Sequence, residues 1–297
     1  MADPLIPGFQ EGYHIELIAS GLDPDDKTHP KPDTTPLLWG FQTLLQLNQI
    51  RKAETGRILL RAIQAAGPWV RIIPLRAVVG FDRDCNADTN DQLSTPSPGA
   101  RAQAEIRFSP HRFIPGGYCS VHNGSAATLS HEILLHELVH ALRMITHKRP
   151  HKPPQLHQAL LRYDNKEEFY AVLITNIFIS DPTNGYKSGL REGHTGPHQS
   201  LEKDLASSYD FFRSGRQTYS LIAQFFHDHR NFAHELACSK AVFNPLAAYD
   251  RSPARARQMS ESGPSQMRGA IGTVFETVES QEFQSKFVTP LLKLIGQ

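Results

Sequence analysis

Cysteine is scarce in this chain. Cys85, Cys119 and Cys238 are the only three, widely spaced and odd in number. They exclude a disulfide framework as the source of stability, and none has the C-x-x-C spacing of a thiolate zinc site. A reducing working compartment is expected. Excess charge is lacking too: 31 Lys and Arg against 30 Asp and Glu leave a net charge of +1, with no long basic run. Nothing electrostatic therefore points to nucleic acid. No uninterrupted apolar stretch is long enough to span a bilayer, so no membrane partner is expected. The opening MADPLIPGFQ has no basic n-region, and Pro7 and Gly8 break its one apolar run. A Sec-type signal is not expected, and synthesis in a cytosol is. Repeats at a solenoid period are missing as well.

What remains is a chain of 297 residues, 39% hydrophobic and 21% charged, a composition that reads as globular with a substantial core. Three regions are expected: a loose, proline-rich leader over residues 1–36, a main domain over 37–248, and a linker with a helical extension over 249–297. Apolar spacing predicts helices over 37–53 and 55–66, the second capped by Thr55 and closed by Gly67. Residues 69–79 read as a strand that Pro74 makes an edge or bulged one. The aspartate-rich stretch DRDCNADTNDQ lacks the glycine and closing glutamate of an EF-hand and is expected to be a surface loop. Residues 102–108 alternate cleanly, as a half-buried strand does. That strand is expected at the rim of a cleft, where it could pair with an extended substrate. Further helices are expected over 165–180, 201–212, 218–229, 232–241, 267–278 and 282–294.

The chemistry is concentrated in SHEILLHELVHALRMIT, residues 130–146, which contains HELVH. At i and i+4 on a helix, His136 and His140 project from one face, one turn apart. Two neutral imidazoles so placed can hold Zn²⁺, with Glu137 as base for a water. Ser130 is the expected N-cap, Glu132 lies in the positive first turn and Arg143 toward the negative end. His111, His122 and His131 are read as surface residues or supports of the ligands. A catalytic zinc needs a third protein ligand and an open position. Glu167 and Glu168, opening the helix NKEEFYAVLITNIFIS, are the candidates, and each could equally be half of a capping box, with Asp164 or Asn165. Both share apolar stripes, so periodicity does not choose between them. The gluzincin-like pattern of a glutamate three residues before a small residue, Glu168 and Ala171, favours Glu168. A metzincin arrangement fails, because the required glycine and third histidine do not follow HELVH. Tyr186, Arg191 and His194, in the glycine-rich segment GYKSGLREGHTGPHQS, are candidates to stabilise an oxyanion.

The segments LLQLNQIRKAETGRILLRAI, GGYCSVHN, LLHELVHALR, EEFYAVLITNIF and GLREGHTGPHQSL resemble the NleD-like effector zinc peptidases, bacterial proteins of the zincin fold. The resemblance implies an α+β, zincin-like fold, mostly helical with a small mixed sheet beside the HELVH helix. It implies zinc at His136 and His140, catalysis by Glu137, and Glu168 as third ligand. The expected function is a zinc-dependent endopeptidase acting on a protein or peptide substrate. Some members enter host cells by type III secretion and clip host mitogen-activated protein kinases, so the resemblance extends to export, virulence and a host signalling kinase as substrate. The region from about Tyr249 onward has no counterpart in it. Two other readings compete: a housekeeping cytosolic zinc peptidase, and a non-catalytic helical interaction protein.

Overall fold

A computed structural model of the chain describes residues 10–19, 35–75, 87–90, 102–113, 129–148, 163, 165–185, 189–191, 193, 215–251 and 253–254. The helices expected over 201–212, 267–278 and 282–294 lie outside the described residues, as do GGYCSVHN and most of residues 249–297. Among the described residues, no helix is long and apolar enough to cross a membrane.

The fold is α+β, mostly helical with one small mixed sheet. In chain order come α1 (Gln10–Tyr13), β1 (Ile15–Leu17), α2 (Pro36–Lys52), α3 (Glu54–Ala66), β2 (Trp69–Ile73), β3 (Asp88–Asn90) and β4 (Ala102–Arg107). A short 3₁₀ turn, Pro110–Arg112, precedes α4 (Ser130–Ile145), α5 (Lys166–Ile179), α6 (Gly215–Asp228), α7 (Arg230–Ala237) and α8 (Pro245–Arg251). The four strands lie in the order β1-β2-β4-β3. β1, β2 and β4 run parallel, and β3 is antiparallel to β4.

Several expectations need correction. Within the supposed loose leader, Ile15 and Leu17 are fully buried and β1 pairs with β2. The high proline content around this segment hides a short apolar run that one sheet partner is enough to fix. β2 is an interior strand between β1 and β4, not an edge. Its irregularity falls between Trp69 and Val70, and Pro74 comes one residue after it ends, where a missing N–H costs no ladder bond. β4 is not the rim either, because β3 covers its other side. The outer strand comes from the segment expected to be a surface loop. At three residues, β3 is too short to show a period.

β4 is also less half-buried than its alternation implies. Ala104 and Ile106 face the core, but Glu105 on the opposite face is fully buried as well. It sits in register with Arg71 of β2, which is in register with Glu16 of β1. Arg71 Nε donates to Glu16 at 2.9 Å, and its Nη1 lies 3.9 Å from Glu105. A row of alternating charge thus lets carboxylates lie within the sheet.

Helix α4 runs through the middle of the molecule. It packs on β2, β3 and β4, and on α2, α3 and α5. Every residue from Ser130 to Arg143 is buried, so this helix has no solvent face. α2 and α3 support it through a tight corner, where a Cβ on Gly56 would stand 1.9 Å from the Ile50 carbonyl oxygen. Thr35, rather than Leu37, starts α2 by accepting from Leu38 N–H. Thr55 does not cap α3 but bonds Asp181 through both its N–H and its hydroxyl. Gly67 closes α3 at φ +94°, a conformation that favours glycine. α8 passes through the expected domain boundary at 248/249. Its Tyr249 ring lies 4.9 Å from that of Phe226 on α6, tilted by 37°.

Candidate metal centre

The start of α4 is set by Leu129, not Ser130. Glu132 folds back to accept the Leu129 N–H at 3.1 Å, while Ser130 is already helical and its hydroxyl reaches the Pro110 carbonyl at 3.4 Å. One turn on from Glu132, His136 and His140 share a face, with exposures of 0% and 3%.

Their counterpart comes from α5. Asn165 caps that helix, its side-chain oxygen accepting from the N–H groups of both Glu167 and Glu168, at 2.8 and 3.1 Å. With the first turn pinned, the two glutamates diverge. Glu167 is fully buried and forms a two-bond pair with Arg143, at 2.5 and 3.1 Å. Glu168 faces the histidines: its Oε2 lies 3.0 Å from His136 Nε2 and 3.2 Å from His140 Nε2. The two ring nitrogens are 3.1 Å from each other.

These three atoms fit a single cation. Ligands at about 2.0–2.1 Å around a tetrahedral ion are separated by roughly 3.3–3.4 Å, close to the spacings seen. The donor set carries the same message. Two imidazole nitrogens at 3.1 Å cannot both point a lone pair at one carboxylate oxygen and at each other without a cation or proton between them. Burial lowers the His136 pKa, with the Glu168 hydrogen bond opposing. Burial pushes the Glu168 carboxyl up, but the adjacent His140 and His136 rings outweigh it and hold the group below the usual carboxylate range. A neutral His136 pulls on Glu168 less than a charged one. A deprotonated His136 beside an ionised Glu168 is the protonation a metal ion requires of those two groups.

Glu137 points elsewhere. Its Oε2 accepts from the Thr89 hydroxyl at 2.6 Å, which ties β3 to α4. Burial pushes its carboxyl up, against the pull of the His136 ring and the Thr89 hydroxyl. Glu137 is thus a buried carboxyl of raised basicity beside the three-donor group, with one oxygen held.

The other expected site residues fare differently. Tyr186, His194 and His122 lie outside the described residues. Arg191 is buried rather than solvated. Its backbone N–H and carbonyl are both bound by the Asn176 side chain, at 2.9 and 2.8 Å. Burial lowers its pKa to about 10, with the Glu132 charge pulling the other way. His131 is buried, its ring edge-on to Phe178 at 5.8 Å, and burial lowers its pKa to about 4. It supports the α4–α5 contact and is not one of the three donors. Thr89 is the residue that sequence reasoning missed. Its only signal was a β-branched side chain amid Asp and Asn.

A comparison with protein-family models finds no match for the chain, and a search of curated proteins finds none either. Geometry therefore carries the conclusion: His136, His140 and Glu168 form a group positioned to bind a metal ion, in an α+β chain.

Proposed function

We propose that the chain is a zinc-dependent endopeptidase of zincin-like fold, hydrolysing peptide bonds in a protein substrate. The observation that carries this is the convergence of His136, His140 and Glu168 within 3.2 Å of one another, with Glu137 next in the chain but turned aside to Thr89. The donor set, two imidazoles and one carboxylate, suits zinc in a catalytic site. When bound there, zinc supplies Lewis acidity, lowering the pKa of water toward about 7 and polarising a carbonyl.

The chain's own residues do the rest. Glu137 takes the proton of the attacking water and returns it to the departing amine nitrogen. Its raised pKa suits both transfers. The Thr89 hydroxyl fixes one carboxylate oxygen and leaves the other for the proton. Because β3 is the edge strand of the described sheet that is bonded to Glu137, an extended substrate is proposed to lie along β3, through backbone hydrogen bonds. Tyr186 and His194 are proposed to face the developing oxyanion. The resemblance to NleD-like effectors supports extending the proposal to a protein exported into host cells that acts on a host signalling kinase.

The test pairs metal analysis with turnover of a broad peptide library. Glu137→Gln should keep the zinc at His136, His140 and Glu168 and lose about 10²–10⁴-fold in activity. Substantial residual turnover would assign the base elsewhere. Thr89→Val should keep the metal and lower kcat by about 10- to 100-fold, the worth of a hydrogen bond to a charged group. Wild-type activity there would remove Thr89 from the mechanism.

A further inference from the structure

A second group of donors lies on α7 and α8 and shares no residue with the first. His234 is on α7, Cys238 is its C-cap four residues later, and Asp250 is on α8. One donor atom from each lies within 4.8 Å of the others. His234 Nδ1 is 2.9 Å from Asp250 Oδ2. The other ring nitrogen, Nε2, is 3.9 Å from Cys238 Sγ. The same imidazole is therefore oriented by a carboxylate on one side and presented to a sulfur on the other.

We propose that Cys238 and His234 bind a second, zinc-class cation at the end of α7, with Asp250 of α8 orienting the imidazole. Three observations carry this. First, an imidazole that ligates through one nitrogen and donates its other N–H to a carboxylate is the usual supporting arrangement of a metal-binding histidine. Second, the spacing is right. Bonds of about 2.3 Å to sulfur and about 2.0–2.1 Å to nitrogen place the two ligands roughly 3.5 Å apart around a tetrahedral ion. Exposed side chains can make up the small difference, and the His234 side chain is 60% exposed. Third, the electrostatics favour a cation over a bare thiolate. Cys238 terminates α7, its N–H directed at the His234 and Leu236 carbonyls. The partial negative charge at a helix C-terminus stabilises a cation and opposes an unpaired thiolate. This weighs against reading the carboxylate–imidazole–sulfur line as an activated nucleophile.

Two protein ligands leave open positions for water, so binding here is weaker and more readily reversed than at His136, His140 and Glu168. The supporting Asp250 is presented by α8, which Tyr249 holds in place through its contacts with Phe226 and Tyr219.

Cobalt(II) makes the test, because thiolate ligation gives an intense near-ultraviolet charge-transfer band that nitrogen and oxygen ligands do not. The full chain, stripped with chelator and titrated with cobalt, is expected to bind two ions. The band should grow with the weaker one. Cys238→Ser should abolish the band and one equivalent. His136→Ala/His140→Ala should remove the other equivalent and leave the band. Asp250→Asn should lower the affinity of the band-forming site by about 10- to 100-fold. Absence of the band in the wild-type protein, or its survival in Cys238→Ser, would overturn the proposal. If the double histidine variant does not fold, the comparison of wild type with Cys238→Ser decides alone, since His136, His140 and Glu168 offer no sulfur.

Discussion

Two neighbouring glutamates on α5 meet the same helix, α4, in opposite ways. Glu167 meets Arg143, a cation built into the chain. That region is closed: Arg143 also lies 4.4 Å from the centre of the Tyr170 ring and 3.7 Å from Asp228. Glu168 meets two imidazoles, which carry no fixed charge, and burial opposes protonation of His136. The first carboxylate is balanced by a residue, and the second belongs to a group positioned to bind a metal ion. A helix pair can thus be fastened at one turn and functional at the next, because one capping residue, Asn165, aims both acids.

The largest expected effect sets the two glutamates against each other. Glu168→Gln should cost the protein the zinc held with His136 and His140 while leaving the apo form about as stable as before. Glu167→Gln should retain zinc but destabilise by about 3–5 kcal/mol, because it leaves the buried Arg143 guanidinium with only the more distant Asp228 to balance it. That is more than the roughly 1 kcal/mol expected of a lost cap. Zinc content and chemical denaturation of both variants measure it. Zinc loss in Glu167→Gln with retention in Glu168→Gln would reverse the assignment.

A smaller effect probes the closed region by pH. His229, buried against Phe225 and Phe232, has its pKa lowered to about 4 by burial and then by the Arg143 charge. A histidine whose folded pKa lies below its unfolded value of about 6.5 keeps its stabilising contribution above that value. It loses the contribution as pH falls from about 6.5 to about 4, by about 3 kcal/mol. His229→Phe keeps a ring in the same packing and should flatten this part of the stability profile. An unchanged slope would place the acid sensitivity elsewhere, His131 being the other buried ring with a similarly lowered pKa. The smallest effect concerns the residue shared by both regions. Asn165→Ala should cost about 1 kcal/mol and weaken zinc binding only modestly, since the helix body still positions Glu168. Melting temperature and zinc titration read the two together.

Some of this was legible in the residues. The helix of α4 follows from its apolar filling, and the histidine pair follows from i, i+4 geometry, which needs no tertiary information. α5 was bounded correctly by Asn165 and by Asp181-Pro182, because caps and prolines act locally. The sheet was much less legible. β1 and β3 are three residues each, too short for a period to register, and they exist because β2 and β4 supply their partners. β4 was misplaced at the rim because alternation reports that one face is polar. It does not report whether another strand lies alongside.

The sequence by itself therefore determined where the donor groups lie along each helix, since those spacings are set by the helical repeat. Only the tertiary structure decided which acid reached which partner. Glu167 and Glu168 lie on equally apolar stripes, and a rotation of α5 by one residue would exchange them. The packing of α5 on α4, the capping by Asn165 and the demand of a buried Arg143 for a carboxylate fix that rotation. Thr89 belongs to the same class: a hydroxyl 48 positions before the glutamate it holds becomes its neighbour only when β3 closes the sheet beside α4.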